Sequence, residues 1–171
     1  VHDRRGDWEL AEASFAEALA LVGDGEPELR ARITADRSLT AQRLGRDADA
    51  AELAAAALAL AREAGDVPAE AQAHNILGML AARLGDGTAA LTELERSLAL
   101  AEAGDDVVAR IAALNNLALV EGEQGLVDEA LQRVEAACAL CATIGDRHRE
   151  AALANNAADL LHQAGRHDEA V

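Results

Sequence analysis

The sequence predicts an all-α protein, a solenoid of antiparallel helix pairs, and three observations indicate this fold class. First, a glycine returns every 39 or 40 residues, and an alanine follows each of these glycines by five residues. The positions are Gly6, Gly45, Gly85, Gly125 and Gly165, with Ala11, Ala50, Ala90, Ala130 and Ala170. Second, about a quarter of the chain is alanine, the strongest helix former. Third, prolines and aromatic residues are scarce. A fixed period of this length is typical of repeated helical units.

The repeated glycines divide the chain into two kinds of helix. We call A the helix that ends at a repeated glycine, and B the helix that begins after it. The predicted helices are B at 8–22, A at 29–44, B at 48–64, A at 69–84, B at 88–103, A at 109–124, B at 128–144 and A at 149–164. Apolar residues recur at helical spacing in both kinds, for example Leu91, Leu94 and Leu98 in a B helix. The connections are short, so we expect consecutive helices to pack antiparallel.

A second glycine, followed by an aspartate, stands between each B helix and the next A helix. The pairs are Gly65-Asp66, Gly104-Asp105 and Gly145-Asp146. Glycine adopts the left-handed conformation that ends a helix, and aspartate accepts from free N–H groups where the next helix starts. We therefore expect these glycines to end the B helices and these aspartates to cap the A helices.

The spacing of small and large residues resembles the tetratricopeptide repeat family. Leu77-Gly78, Gly85, Ala90, Leu94 and Leu98 follow that pattern. The period of 40 exceeds the 34 residues usual in the family, and the stretch 113–118 is similar to repeats of kinesin light chains and of large bacterial signalling regulators. The resemblance implies a right-handed superhelix over 1–171. It would consist of a half unit at 1–28, units at about 29–68, 69–108 and 109–148, and a half unit at 149–171.

An asparagine column is the strongest candidate for a binding surface. Asn75, Asn115 and Asn155 each lie ten residues before a repeated glycine, and Asn116 and Asn156 follow directly. The resemblance implies that this side of the A helices lines a concave groove, where asparagine amides would pair with the backbone of a bound peptide. The same residues could instead join neighbouring helices, and both interpretations stay open. The candidate residues are Asn75, Arg83, Asn115, Asn116, Asn155, Asn156 and Asp159.

No catalytic or metal-binding residues are predicted, and no cofactor is expected. Cys138 and Cys141 fall where other units have leucine and alanine, which indicates core packing rather than redox or zinc chemistry. His148, His162 and His167 match no metal-binding pattern. A phosphate-binding loop of the GxxxxGK[ST] type is excluded because the chain has no lysine.

The acidic balance limits the choice of partners. The chain has 31 acidic and 15 basic residues and a net charge of −16, which opposes binding to nucleic acid or to an anionic membrane. We expect a cytoplasmic protein and, since the repeats are cut at both ends, a fragment of a larger one. The last A helix lacks a B partner, which predicts exposure of Leu153, Ala157, Leu160 and Leu161 and a homodimer through that helix.

Two functions follow from these patterns. The first is a non-catalytic scaffold that binds a protein or peptide segment on the concave face of the A helices. The alternative is an effector-sensing or assembly segment of a multidomain bacterial transcription regulator or signalling ATPase, whose ligand would be a small effector. An enzyme is not expected, because no general acid–base pair or activated nucleophile stands out.

Overall fold

The computed structural model describes residues 4–23 and 25–169, and in these residues eight α-helices follow one another without strands. They are α1 (Arg4–Val22), α2 (Pro27–Arg43), α3 (Asp47–Ala64), α4 (Val67–Arg83), α5 (Gly87–Ala103), α6 (Val107–Glu123), α7 (Val127–Ile144) and α8 (Arg147–Gln163), followed by a 3-10 turn at His167–Glu169. Even-numbered helices are the predicted A helices and odd-numbered helices are the B helices. The all-α solenoid and the alternation of helices are confirmed.

Four of the five repeated glycines end the A helices as predicted, whereas Gly6 lies inside α1. Gly45, Gly85, Gly125 and Gly165 all have positive φ angles, between 73° and 80°. A side chain is strained in that conformation, so glycine is the favoured residue at these turns. The 40-residue period of the sequence is therefore the period of a backbone turn.

The connection between α5 and α6 differs from its prediction. Gly104 has a φ of −88°, and Asp105 takes the left-handed conformation instead, with a φ of 52°. Asp105 occupies the register position that Gly65 and Gly145 fill in the other units, so the turn is conserved in shape but not in residue type. Asp106 replaces Asp105 as the cap of α6, and its carboxylate accepts from the Ala109 N–H at 3.0 Å.

Aspartate caps begin three other helices. The carboxylates of Asp66, Asp86 and Asp146 accept the backbone N–H three residues later, at 3.2, 3.0 and 3.0 Å. Each bond satisfies one of the N–H groups that a helix start leaves free. The prediction is confirmed for Asp66 and Asp146, and Asp86 extends it to a B helix.

The core is rich in alanine, as the composition predicts. Between α2, α3 and α4 the buried apolar side chains are mostly alanines, and Ile76 and Leu80 are the large ones. Around α6 the core has larger side chains, with Leu94, Leu114, Leu117 and Val134. Small side chains let helix axes approach closely, so stability there depends on contact between backbones rather than on the size of the buried side chains.

The exposure predicted for the last A helix is wrong for its leucines. Leu153, Leu160 and Leu161 are 3, 7 and 8% exposed, and Ala157 is half-buried. Leu153, Ala157 and Leu160 pack against the core formed by α6 and α7, so the preceding unit covers them without a following B helix. The homodimer predicted from this exposure loses its basis.

Candidate functional site

The A helices line the inner face of a curved array. Consecutive A helices contact each other, α2 with α4, α4 with α6 and α6 with α8, whereas the described B helices contact only A helices. Helices that touch on one side and diverge on the other curve the array toward the touching side. The A-helix face is therefore concave, as the family resemblance implies.

A groove of about 550 Å³ lies on this face across α2, α4 and α6. Its floor is apolar, with Leu39, Ile76 and Met79, and Val108 and Ala112 stand at its edge. Its polar lining consists of Gln42, Arg43, Gln72, Asn75, Ser97, Asp106, Asn115 and Asn116. An apolar floor with a few amides along it suits a chain that offers both side chains and backbone.

A smaller cavity of about 250 Å³ continues the groove toward α8. Val108, Ala112 and Asn115 line both cavities and form the ridge between them. The rest of the lining is Ile111, Arg149, Ala152, Leu153 and Asn156. The two cavities thus follow the stacking direction of the A helices, a large one first and a small one after it.

The asparagines hydrogen-bond each other across neighbouring A helices. The Nδ2 of Asn116 donates to the Oδ1 of Asn75 at 2.9 Å, which joins α6 to α4. The Nδ2 of Asn156 donates to the Oδ1 of Asn115 at 2.8 Å, which joins α8 to α6. Both pairs have the same atoms and a separation of 41 residues. The interpretation that the column joins helices is therefore correct for these four residues.

These bonds use only part of each amide. A primary amide has two N–H donors and a carbonyl acceptor. Within the described part of the chain, the Nδ2 of Asn75 and the Oδ1 of Asn116 have no further hydrogen bond, and the same is true of Asn115 and Asn156. All four side chains are half-buried at the edge of the cavities. Each pair therefore keeps one Nδ2 donor and one Oδ1 acceptor that could bind a ligand.

Ion pairs engage Arg83, a predicted site residue, and also Arg32 of α2. Arg83 pairs with Asp47 at the start of α3, and the Nε of Arg32 lies 2.5 Å from the Oδ2 of Asp66. The pKa of Arg32 is raised, chiefly by its hydrogen bond to Asp66. These side chains connect successive units rather than face an open groove.

Arg43 is the cation that lines the large groove. Its guanidinium carbon lies 5.0 Å from the ring centroid of Trp8, a cation–π contact between α2 and α1. Asp106 lines the same groove, but its carboxylate also caps α6. The groove thus has one cation and one anion among its lining residues, although the whole chain carries a net charge of −16.

The predicted site residues do not all meet in one place. Asn75, Asn115, Asn116 and Asn156 line the cavities. Asn155 and Asp159 are exposed on α8 and, like Arg83, line neither cavity. Contact between these three residues and a partner stays a prediction.

The apolar ridge of the groove, formed by Val108 and Ala112, was not predicted from the sequence. Val108 and Ala112 lie seven and three residues before Asn115, which places all three on one face of α6. That spacing was available in the sequence. A valine or alanine in an alanine-rich helix gives no sign of which side it faces, so the signal was too weak to single them out.

Two buried titratable side chains, those of His74 and Glu121, lie outside the groove. His74 is 2% exposed, and its Nδ1 lies 2.5 Å from the Oε2 of Glu93, while Leu114 fills the equivalent place in the next unit. Glu121 is 5% exposed and accepts from the Nε of Arg133 at 3.2 Å. Both groups connect an A helix to its B partner, which makes them structural.

The cysteine pair packs in the core, as predicted. Cys141 is fully buried and Cys138 is half-buried against the same cluster, and both are free thiols. Burial raises the pKa of both thiols above the ordinary value. A raised pKa disfavours the thiolate, which is the form that attacks disulfides and binds metals.

The comparison with protein families supports the resemblance. A family model described as tetratricopeptide repeat matches residues 69–143 and 108–171, together more than half of the chain. No protein of curated function matches the sequence. Among the described residues, none of the helices is long and apolar enough to cross a membrane, and groups of histidine, cysteine and carboxylate able to hold a metal are absent.

Three solved structures illustrate the likeness of the fold. Aspartyl phosphate phosphatase F from Bacillus subtilis has a TM-score of 0.76 at 15% identity, with 84% of this chain and 38% of that chain covered. BtubC from P. vanneervenii has a TM-score of 0.80 at 23% identity, covering 98% and 70%. A putative kinesin light chain of Podosopora anserina has a TM-score of 0.66 at 21% identity, covering 95% and 80%. The chain thus spans well under half of the phosphatase.

Proposed function

Because the chain belongs to the tetratricopeptide repeat family, we propose that its concave groove binds an extended segment of a partner protein and catalyses no reaction. The groove across α2, α4 and α6 carries this proposal. It combines an apolar floor at Ile76 and Met79 with amide side chains that retain free hydrogen-bonding atoms. A folded partner could not enter a groove of about 550 Å³, whereas a short extended segment fits it.

The chemistry of the groove favours a segment whose bound part has little charge. The lining contains one arginine and one aspartate in the large cavity, and Arg149 in the small one. Amides bind a peptide backbone without requiring a particular side chain, while the apolar floor selects by size. The acidic charge over the rest of the surface repels acidic proteins at a distance, so a basic or neutral protein that carries this segment approaches more readily.

A blocking substitution on the ridge tests this proposal. Ala112 lines both cavities, so Ala112→Arg would place a long side chain across the groove. Twelve-residue peptides selected on the wild-type chain from a random phage library serve as probes. We expect their affinity, measured by isothermal titration calorimetry, to fall at least tenfold in Ala112→Arg.

The matched control is Ala99→Arg. Ala99 is exposed on α5, a B helix, so this variant adds the same side chain on the outer face. Circular dichroism should show that both variants keep their helices. If the selected peptides bind Ala112→Arg and Ala99→Arg equally well, the groove is not the binding site and the proposal is wrong.

A further inference from the structure

We propose that the bound segment adopts the polyproline II conformation and is held at two peptide groups three residues apart. This inference rests on the proposed function and adds the conformation and register of the ligand. It starts from the two asparagine pairs of the groove, Asn75 with Asn116 and Asn115 with Asn156.

Each asparagine pair leaves one donor and one acceptor available to a ligand. The bond from Asn116 Nδ2 to Asn75 Oδ1 leaves the Nδ2 of Asn75 able to donate and the Oδ1 of Asn116 able to accept. A peptide backbone offers the complement, a carbonyl oxygen and an N–H group. We call each pair an amide clamp, because the mutual hydrogen bond fixes both side chains before a ligand arrives and lowers the entropy lost on binding.

The second clamp repeats the first one unit further along the array. Asn115 corresponds to Asn75 and Asn156 to Asn116, with the same donor, the same acceptor and a nearly equal distance. Because the repeat places the clamps in equivalent positions on successive pairs of A helices, they face the groove in similar orientations. A ligand that satisfies both must present two peptide groups in the same orientation, one helix spacing apart.

The helix spacing selects the conformation of the ligand. Packed helices lie about 8–10 Å apart. A polyproline II chain rises about 3.1 Å per residue with three residues per turn, so peptide groups three residues apart lie about 9.3 Å apart and point the same way. In a β-strand, groups of equal orientation are separated by about 6.6 Å or about 13 Å. The strand therefore does not match the clamps.

The two cavities add a preference for side-chain size. The large cavity holds about 550 Å³ and the small one about 250 Å³, and the Val108–Ala112 ridge separates them. The larger first cavity favours the larger side chain, such as leucine, and the smaller second cavity favours a smaller one, such as alanine, three residues away. Since every third side chain of a polyproline II helix points the same way, both side chains enter the groove together.

This geometry predicts where prolines are tolerated. Proline favours the polyproline II conformation but has no N–H group. The residues whose N–H groups reach the clamps cannot be proline, whereas the two residues between them can. The expected central sequence is leucine-proline-proline-alanine or its reverse, since the pseudo-symmetric clamps leave the chain direction open.

Synthetic ten-residue peptides with these two central sequences are the probes. Two further sets have one or three prolines between leucine and alanine, and a last set replaces the alanine by proline. Trp8 is the sole tryptophan and contacts Arg43 at the groove, so its fluorescence reports binding, with calorimetry as the second measurement. We expect the two-proline spacing to bind at least tenfold more tightly than the other spacings and than the proline-substituted set.

Asn75→Asp and Asn115→Asp test the clamps themselves. An aspartate at either position still accepts the bond from Asn116 or Asn156, but it cannot donate to a ligand carbonyl. Each variant should reduce the affinity for the two-proline peptide at least tenfold. Gln132→Glu, on the exposed face of α7, adds the same charge away from the groove and should change the affinity less than twofold.

The outcomes separate this inference from the proposed function. If phage-selected peptides lose affinity in Ala112→Arg but the designed peptides show no preference for the two-proline spacing, the groove binds and the register is wrong. Wild-type affinity in Asn75→Asp and Asn115→Asp would likewise overturn the clamps. If no peptide is sensitive to Ala112→Arg, both proposals fail together.

Discussion

Glycine at residue 78 shows how closely two helices approach in the centre of the array. Gly78 lies inside α4, and an added Cβ would be 2.6 Å from the Cγ of Leu94 and 3.1 Å from the backbone oxygen of Ala90. The carbonyl cannot rotate away, so Gly78→Ala should push α4 and α5 apart. We expect a loss of about 1–3 kcal/mol in the free energy of unfolding, measured by urea titration.

Gly25→Ala is the control for that substitution. An added Cβ at Gly25 meets nothing within 4 Å, and its φ is not positive, so stability should change by less than about 0.5 kcal/mol. Equal losses in the two variants would show that the approach of α4 to α5 does not limit the stability of the array.

We expect the buried carboxylate of Glu121 to lower the free energy of unfolding of the chain. Its Oε1 accepts from Arg133, but its Oε2 has no hydrogen-bond partner in the part of the chain that the structure describes. Leu161 occupies the equivalent place in the next unit. Glu121→Leu should therefore raise the midpoint of urea unfolding and stabilise the chain by about 1–2 kcal/mol. A lower midpoint would mean that the pair with Arg133 is net favourable.

The thiols of Cys138 and Cys141 give the free energy of unfolding a defined dependence on alkaline pH. Burial raises the pKa of Cys138 and Cys141 in the folded chain, so the unfolded chain loses these protons first as pH rises. The protonated thiols contribute fully to the free energy of unfolding below about pH 8.5, the ordinary pKa of a cysteine in the unfolded chain. That contribution is lost as the pH rises above this value. Because the chain has no lysine or tyrosine, few other side chains titrate in this range. Urea unfolding should show stability falling from pH 8.5 to 10.5, and falling less when both cysteines are alanine.

Sequence comparison between units predicted residue types better than residue contacts. It placed Cys138 and Cys141 in the core, because leucine and alanine fill their register elsewhere. It also found the asparagine column. It did not predict which residue of α6 bonds to Asn75, and the structure shows that this residue is Asn116 and not Asn115. That choice depends on the rotation between successive units, which the spacing of residues along the chain does not encode.

At the scale of a helix, the capping aspartates differ in their burial and in whether they also form an ion pair. Asp66 accepts the Ala69 N–H and also pairs with Arg32, and its side chain is almost completely buried. Asp86 makes the same capping bond but is exposed. Asp66→Ala should cost about 1–2 kcal/mol and Asp86→Ala less than 1 kcal/mol. Urea titration of both variants checks the order, and equal losses would mean that the ion pair with Arg32 adds nothing.

The helix boundaries were predictable within a few residues, but the side-chain contacts between successive A helices were not. The glycine register gave seven of the eight helices closely, because a left-handed turn must follow each A helix. It did not predict that Leu160 of α8 reaches back over Gly122 of α6. The missing side chain at Gly122 makes room for that leucine, and only the packed structure shows that the space is used.

At the scale of the whole molecule, repulsion among acidic groups opposes the compact array. The chain has 31 acidic and 15 basic residues, and several of its ion pairs are largely exposed. Salt screens long-range repulsion over roughly 10 Å at about 0.1 M. We expect the urea midpoint to rise between 10 mM and 300 mM sodium chloride. A fall would show that the ion pairs between units outweigh the net repulsion.

The curvature of the array gives it a mechanical property. Inner helices touch their neighbours from unit to unit, whereas, in residues 4–23 and 25–169, the outer helices touch only inner ones. Small changes of curvature therefore alter the contacts between inner helices, while the outer helices have no contacts with one another to lose. The array can therefore bend elastically, and we expect its compliance in bending to grow with the number of units. A ligand bound along the inner layer would fix the radius of this curvature.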